Sequence, residues 1–151
     1  VNTMNEKELA DLLYQLGEER RARRIARAIV RTRPVHDTLQ LAAIVERAAP
    51  RTGRLHPATQ TFMALRRAVN QEAEELDALL EAAPEVVTSG GRIVMITFMS
   101  LEDRQVKEGF RRLARQGKGR LLTRHVLTPS SEEVAANPAS RSAKLRAVEM
   151  I

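Results

Sequence analysis

A hydroxyl, two carboxylates and a guanidinium fall within one short stretch, Ser100, Glu102, Asp103 and Arg104, directly after the most apolar run of the chain. If that run is a buried strand, these side chains sit past its C-terminal end, where open α/β sheets bind ligands. They would then line a polar substrate or cofactor pocket. The plainer reading is a helix start, with Ser100 as N-cap and Asp103 at the third helical position. A second group, Ser140-Arg141-Ser142-Ala143-Lys144-Leu145-Arg146, alternates basic and small residues. As a strand it would put Ser142, Lys144 and Arg146 on one face and Arg141, Ala143 and Leu145 on the other. Those cations suit phosphate contacts or the guarding of a solvated sheet edge. Arg66 and Asn70 lie one helical turn apart and share a face. They can hold either a substrate or the sheet edge. His56, ahead of Pro57, can touch RNA or fix a helix entry. His36, His56 and His125 show no metal-ligand spacing, and with no cysteine in the chain no metal is expected.

Charge narrows the partner. Lys and Arg number 25 against 19 Asp and Glu, giving a formal charge of +6, and 21 of the 25 are Arg. Arg forks onto phosphate and stacks on bases, so the surplus points to a nucleic acid; an Arg-rich codon bias gives the same composition with no function attached. With three Phe, one Tyr and no Trp, a multi-base stacking platform is not expected. No apolar run approaches the length needed to span a bilayer, and no membrane partner or leader is expected. The expected location is the cytoplasm.

The elements that must position these groups change character midway. Asn5 with Glu8 reads as a capping box ahead of Leu9, Leu12, Leu13 and Leu16, and Gly17 as the stop. A second helix, 18–32, carries Ile25 and Ile29 inward and Arg20, Arg21, Arg23, Arg24, Arg27 and Arg31 around the rest. This helix is the candidate for RNA backbone binding. Asp37 or Thr38 caps a third helix ending at Pro50, and 51–56 reads as a basic loop. Pro57 opens a fourth helix whose stripe from Phe62 to Leu80 predicts about 25 unbroken residues. Ser89-Gly90-Gly91 is a turn, and the run through Ile93, Val94, Met95, Ile96 and Phe98 predicts a parallel strand buried on both faces. A helix over 102–116, a strand within 121–127, a short helix capped by Ser130 or Ser131 and a last strand near 143–149 complete the pattern. So few strands leave a parallel sheet unfinished, and a fragment of a larger protein is expected.

Several stretches, in order, resemble the RsmH/MraW family of methyltransferases. They are Val1-Asn2-Thr3 with Glu8-Leu9, Gly17-Glu18-Glu19 with Arg24-Ile25-Ala26 and Ala28-Ile29-Val30, and His56-Pro57-Ala58-Thr59 with Thr61-Phe62, Ala64-Leu65-Arg66 and Ala68-Val69-Asn70. Then come Gly90-Gly91-Arg92, Ser100-Leu101-Glu102-Asp103-Arg104 with Val106-Lys107, Thr128-Pro129-Ser130, Asn137-Pro138 and Ser140–Arg146. The resemblance implies transfer of a methyl group from S-adenosylmethionine to N4 of a cytidine in small-subunit ribosomal RNA. It implies an α/β fold, a partial Rossmann-like methyltransferase fold preceded by a helical insertion. Residues 1–55 would be the insertion, facing RNA, and 56–151 the C-terminal half of the catalytic domain. The implied partner is small-subunit ribosomal RNA or the small ribosomal subunit. Substrate or RNA contacts would fall on Arg66, Asn70, Ser100, Glu102, Asp103, Arg104, Arg141, Ser142, Lys144 and Arg146, with the catalytic residues unknown.

The family's Gly-rich cofactor loop is missing from the chain, since Gly90-Gly91 precedes a strand instead of following one. No cofactor-binding residue is therefore assigned, and the chain alone is expected to be inactive. Met99 stands where the family usually has His, Gln60 where it usually has Arg, Met63 where it usually has Gln and Met4 where it usually has Trp. Met neither titrates nor donates a hydrogen bond. These departures leave open a non-catalytic RNA-binding or structural module derived from the family. A helix-turn-helix DNA binder over 5–48 is a third reading, disfavoured by Pro34 and Pro50 in its turns.

Overall fold

The computed structural model describes residues 1–50, 53 and 56–151; most of the expected basic loop at 51–56 lies outside them. The chain forms two compact units, Val1–Glu72 and Ala73–Ile151. The expected domain boundary at 55/56 thus differs from the division of the packing, because the helix after Pro57 packs on the first helix of the chain.

The first unit is all helical: α1 (Glu6–Gly17), α2 (Ala22–Thr32), α3 (Thr38–Ala48) and α4 (Thr59–Asn70). The capping box is present, with Asn5 Oδ1 accepting from the Glu8 amide at 2.9 Å and Glu8 Oε2 from the Asn5 amide at 3.4 Å. Asp37 caps α3 by accepting from the Gln40 amide at 2.7 Å. The core is the set the spacing selects: Leu9 and Leu13 of α1, Ile25 and Ile29 of α2, Ile44 and Val45 of α3. Each such side chain stabilises the fold by about 1.5–3 kcal/mol. Helix α2 starts at Ala22, not at 18, because residues 18–21 turn the chain: Glu18 is left-handed at φ 51° and the Ala22 amide donates to the Glu19 carbonyl.

The long helix expected after Pro57 is broken. Gln71 adopts φ 52°, closing α4, and α5 (Glu72–Val86) starts at once. Hydrophobic periodicity runs through the break because one left-handed residue barely disturbs the stripe in sequence.

The second unit is α/β. It holds the rest of α5, then β1 (Arg92–Thr97), α6 (Ser100–Arg115), β2 (Gly119–Leu121), α7 (Ser131–Ala136), a 3-10 turn at Pro138–Ser142 and β3 (Lys144–Met150). The three strands are antiparallel in the order β1-β3-β2, which corrects the expected parallel pairing. One face carries Ile93 and Val148 against Val106, Phe110 and Leu113 of α6 and Leu80 of α5. On the other, Val94 and Ile96 are exposed. The expected strand within 121–127 reduces to the end of β2 and a single bridge between Leu127 and Leu145. Ser130 caps α7, accepting from the Glu133 amide at 3.1 Å. Among the described residues, no helix is long and apolar enough to cross a membrane.

Candidate functional site

The first turn of α6 and the first half of β3 bring the two expected clusters together. Strand β3 runs antiparallel to β1, so its start lies beside the end of β1, where α6 begins. Lys144 and Arg146, two residues apart, point from β3 toward α6. Arg146 donates through Nε and Nη2 to Asp103 Oδ1 and Oδ2 at 2.7 and 3.0 Å, a bidentate pair with both side chains largely buried. Lys144 Nζ donates to Ser100 Oγ at 3.4 Å. The hydrogen bonds from Arg146 hold the Asp103 carboxyl below its ordinary value, with burial opposing and the charges of Arg146, Lys144 and Lys107 assisting.

This geometry corrects the helix-start reading. The N-cap of α6 is Met99, which gives no side-chain cap; Ser100 is the first helical residue, and Asp103 spends its acceptors on Arg146. Arg141 and Ser142 were expected on the strand with Lys144 and Arg146. They lie instead, exposed, on the 3-10 turn that Pro138 opens, before β3 begins. Glu102 is half-buried and Arg104 exposed on α6. Beside Arg146, Lys107 and Thr123 line a hollow of about 10 Å³, room for one water and not for a base.

Arg66 and Asn70 are brought together in the first unit, where both serve the helix break. Arg66 donates through Nε and Nη2 to Glu72 at 2.7 and 3.0 Å, and Asn70 Nδ2 donates to Glu72 Oε1 at 3.4 Å. The Arg66 hydrogen bonds lower the Glu72 pKa, with burial opposing and the charge of Arg66, Asn70 and Arg67 assisting. Glu72 was missed by sequence reasoning, which ran one unbroken helix through this position. Next to Arg66, an open hollow is lined by His56, Thr59, Phe62 and Met63. His56 Nδ1 accepts from the Ala58 amide at 3.1 Å, so this ring fixes the helix entry.

Another hollow, about 450 Å³, lies where the exposed Tyr14 of α1 faces the start of the Arg-rich helix, lined also by Asp11, Arg20, Arg21, Arg23 and Arg24. Sequence reasoning marked these arginines but not the ring beside them. Among the described residues no group of three or more His, Asp and Glu side chains could hold a metal ion.

A helical unit joined to an α/β unit whose first α6 turn is cross-linked to a neighbouring strand defines the chain as an α/β protein with charged polar groups gathered at the strand ends. It belongs to the MraW methylase family, whose model matches residues 1–151. It is 66% identical over 150 residues to the ribosomal RNA small subunit methyltransferase H of Solibacter usitatus, covering 99% of this chain and 52% of that protein. Proteins of the same description from Acidobacterium capsulatum and a Cyanothece species are 57% and 51% identical, covering 99% and 100% of this chain and 51% of each relative. The chain spans about half the length of the curated relatives it matches.

Proposed function

We propose that this chain is the later half of an enzyme that transfers a methyl group from S-adenosylmethionine to N4 of a cytidine in small-subunit ribosomal RNA. What carries the reading is the unbroken match of residues 1–151 to a methylase family whose relatives are named for small-subunit ribosomal RNA. In this reading residues 1–55 are most of a helical insertion that faces RNA, and 56–151 the returning half of a Rossmann-like catalytic domain. Strand β1 lies at the edge of the sheet with Val94 and Ile96 exposed on its outer face. An apolar edge strand of this kind is suited to receive further strands and a covering layer.

The described residues beside the end of β1 do not by themselves fit the cofactor. The glycine pair forms the turn before β1, with Gly90 at φ 79°, and the hollow beside Arg146 has room for one water only. The cofactor would be held by the half of the enzyme outside the match; when bound it supplies an electrophilic methyl group. This chain's part is the substrate side. Ser100, Glu102, Asp103, Arg104, Lys144 and Arg146 shape one wall, with Asp103 and Arg146 positioning each other. Arg141 and Ser142, exposed on the 3-10 turn, contact RNA, while Arg66 and Asn70 hold Glu72 at the helix break.

The test is a chimera in which residues 1–151 replace the matching half of the Solibacter usitatus relative. Methyl transfer from labelled S-adenosylmethionine to purified small ribosomal subunits, located by mass spectrometry at a cytidine N4, is the expected result. A folded chimera that binds the subunits and transfers nothing overturns the reading. The non-catalytic RNA-binding module would then stand, as Met99 favours, since its thioether can neither titrate nor donate.

A further inference from the structure

The arginines of the second helix and its entry turn are not equivalent, and the structure separates five of the six. Arg21 is committed: Nη1 donates to the Pro50 carbonyl at 2.8 Å, and Nε lies 3.6 Å from the buried Glu19 carboxylate. Arg27 donates to Glu6 at 3.2 Å. Arg20, Arg23 and Arg24 are exposed, have no ion-pair partner among the described residues, and line the one hollow that also holds Tyr14. Tyr14 is the only tyrosine of the chain and 63% exposed. The volume of the hollow, about 450 Å³, lies within the range of small-molecule sites, about 300–1,000 Å³.

We propose that this hollow is a single-nucleotide anchor for unpaired RNA, with a base on the Tyr14 ring and its flanking phosphates on Arg20, Arg23 and Arg24. The proposal rests on the RNA reading above and adds the place and chemistry of the contact. One ring cannot form the multi-base platform that the composition excludes, but it can clamp one splayed base. Base–aromatic stacking and forked guanidinium–phosphate pairs are the two contacts by which proteins take unpaired RNA. Helix α2 begins here without a side-chain cap, so its positive end adds to the field at the same spot. Asp11 lies in the wall. It opposes a bare polyanion, while a nucleotide brings amine and hydroxyl donors that a carboxylate accepts.

The experiment uses the 151-residue chain and a fluorescein-labelled 12-nucleotide single-stranded RNA, with binding followed by anisotropy from 50 to 300 mM salt. The triple variant Arg20→Ala, Arg23→Ala, Arg24→Ala should weaken binding at least tenfold and flatten the log–log salt slope by about 2, since each single-strand phosphate contact contributes about 0.7. Tyr14→Ala should weaken it about tenfold with the slope unchanged, and Tyr14→Phe should bind as the unaltered chain does. The charge-matched control Arg111→Ala, Arg112→Ala, Arg115→Ala, three arginines exposed on α6 in the other unit, should lose far less. Circular dichroism keeps folding separate from binding, and all these side chains are exposed.

RNA binding that survives both the triple variant and Tyr14→Ala overturns the anchor and leaves the RNA reading standing elsewhere on the chain. No binding by the unaltered chain at 50 mM salt overturns both. Equal competition by poly-glutamate, with Tyr14→Ala silent, makes the hollow a surface for acidic protein and also overturns the anchor.

Discussion

Arg146 of β3 donates through Nε and Nη2 to the two carboxylate oxygens of Asp103 in the first turn of α6, at 2.7 and 3.0 Å and 43 residues apart in sequence. The pair fixes the angle at which α6 leaves the sheet. Because both side chains are largely buried, removing one strands the other. Asp103→Asn should therefore cost about 2 kcal/mol at pH 7. The Asp103 pKa is lowered in the folded chain. Its stabilisation is then complete above the ordinary carboxylate value and fades as the pH falls through the folded one. Urea unfolding at a series of pH values should show the gap between the two proteins closing below about pH 4. A gap that stays constant down to pH 2.5 would count against the ion pair.

Gly17 is the last residue of α1 and sits where α4 crosses it. A Cβ there would lie 2.6 Å from the Gln60 carbonyl oxygen and 2.9 Å from the Ala64 Cβ. The left-handed residue that ends α1 is Glu18, not Gly17, so the glycine serves close approach. Gly17→Ala should destabilise the chain by about 1–3 kcal/mol through overpacking, although alanine is the better helix former. Thermal unfolding gives the sign directly; a rise in melting temperature would mean that the helices give way at no cost.

The break between α4 and α5 rests on Gln71 at φ 52° and on Glu72 held by Arg66. A glycine takes the left-handed conformation without the clash that a Cβ brings, while gaining freedom in the unfolded chain. Gln71→Gly should leave a net stabilisation of about 0.5 kcal/mol, and Arg66→Ala, in an exposed pair, a loss of no more than about 1 kcal/mol. If Gln71→Gly melts lower than the parent, the left-handed residue is not a source of strain.

Local signals were legible and long-range ones were not. The caps at Asn5, Asp37 and Ser130 and the inward residues of the first three helices follow from spacing alone, because each involves neighbours within one or two turns. The Gln71 break escaped because a left-handed residue leaves the apolar stripe intact. The parallel pairing of β1 was misread because an unbroken apolar run reports burial, not strand direction, and its partner β3 lies some 50 residues on. The candidate site was half legible. Asp103 and Arg146 were both marked, but nothing in one sequence says that they bind each other. The 3-10 turn at Pro138 removed Arg141 and Ser142 from the strand that their alternation suggested.

The outer face of β1 gives the sharpest prediction about the rest of the enzyme. Val94 pairs with Ala147 and Ile96 with Leu145, and with Leu127 bridged to Leu145 they make an apolar strip across the outer face of the sheet. Val94 is 52% and Ile96 57% exposed. In the isolated chain, Val94→Lys and Ile96→Lys remove little buried surface and should change stability by no more than about 0.5 kcal/mol. A charge on an exposed edge should also lower any self-association, read by sedimentation as a weaker dependence on concentration. In the chimera with the Solibacter usitatus half, the same lysines would be buried under the layer that covers this face and should cost about 3 kcal/mol or more, with methyl transfer lost in step. The contrast between the two settings is the readout. If both proteins tolerate the lysines equally, the outer face of β1 is not covered, and the assignment of residues 56–151 to half of a Rossmann-like domain fails with it.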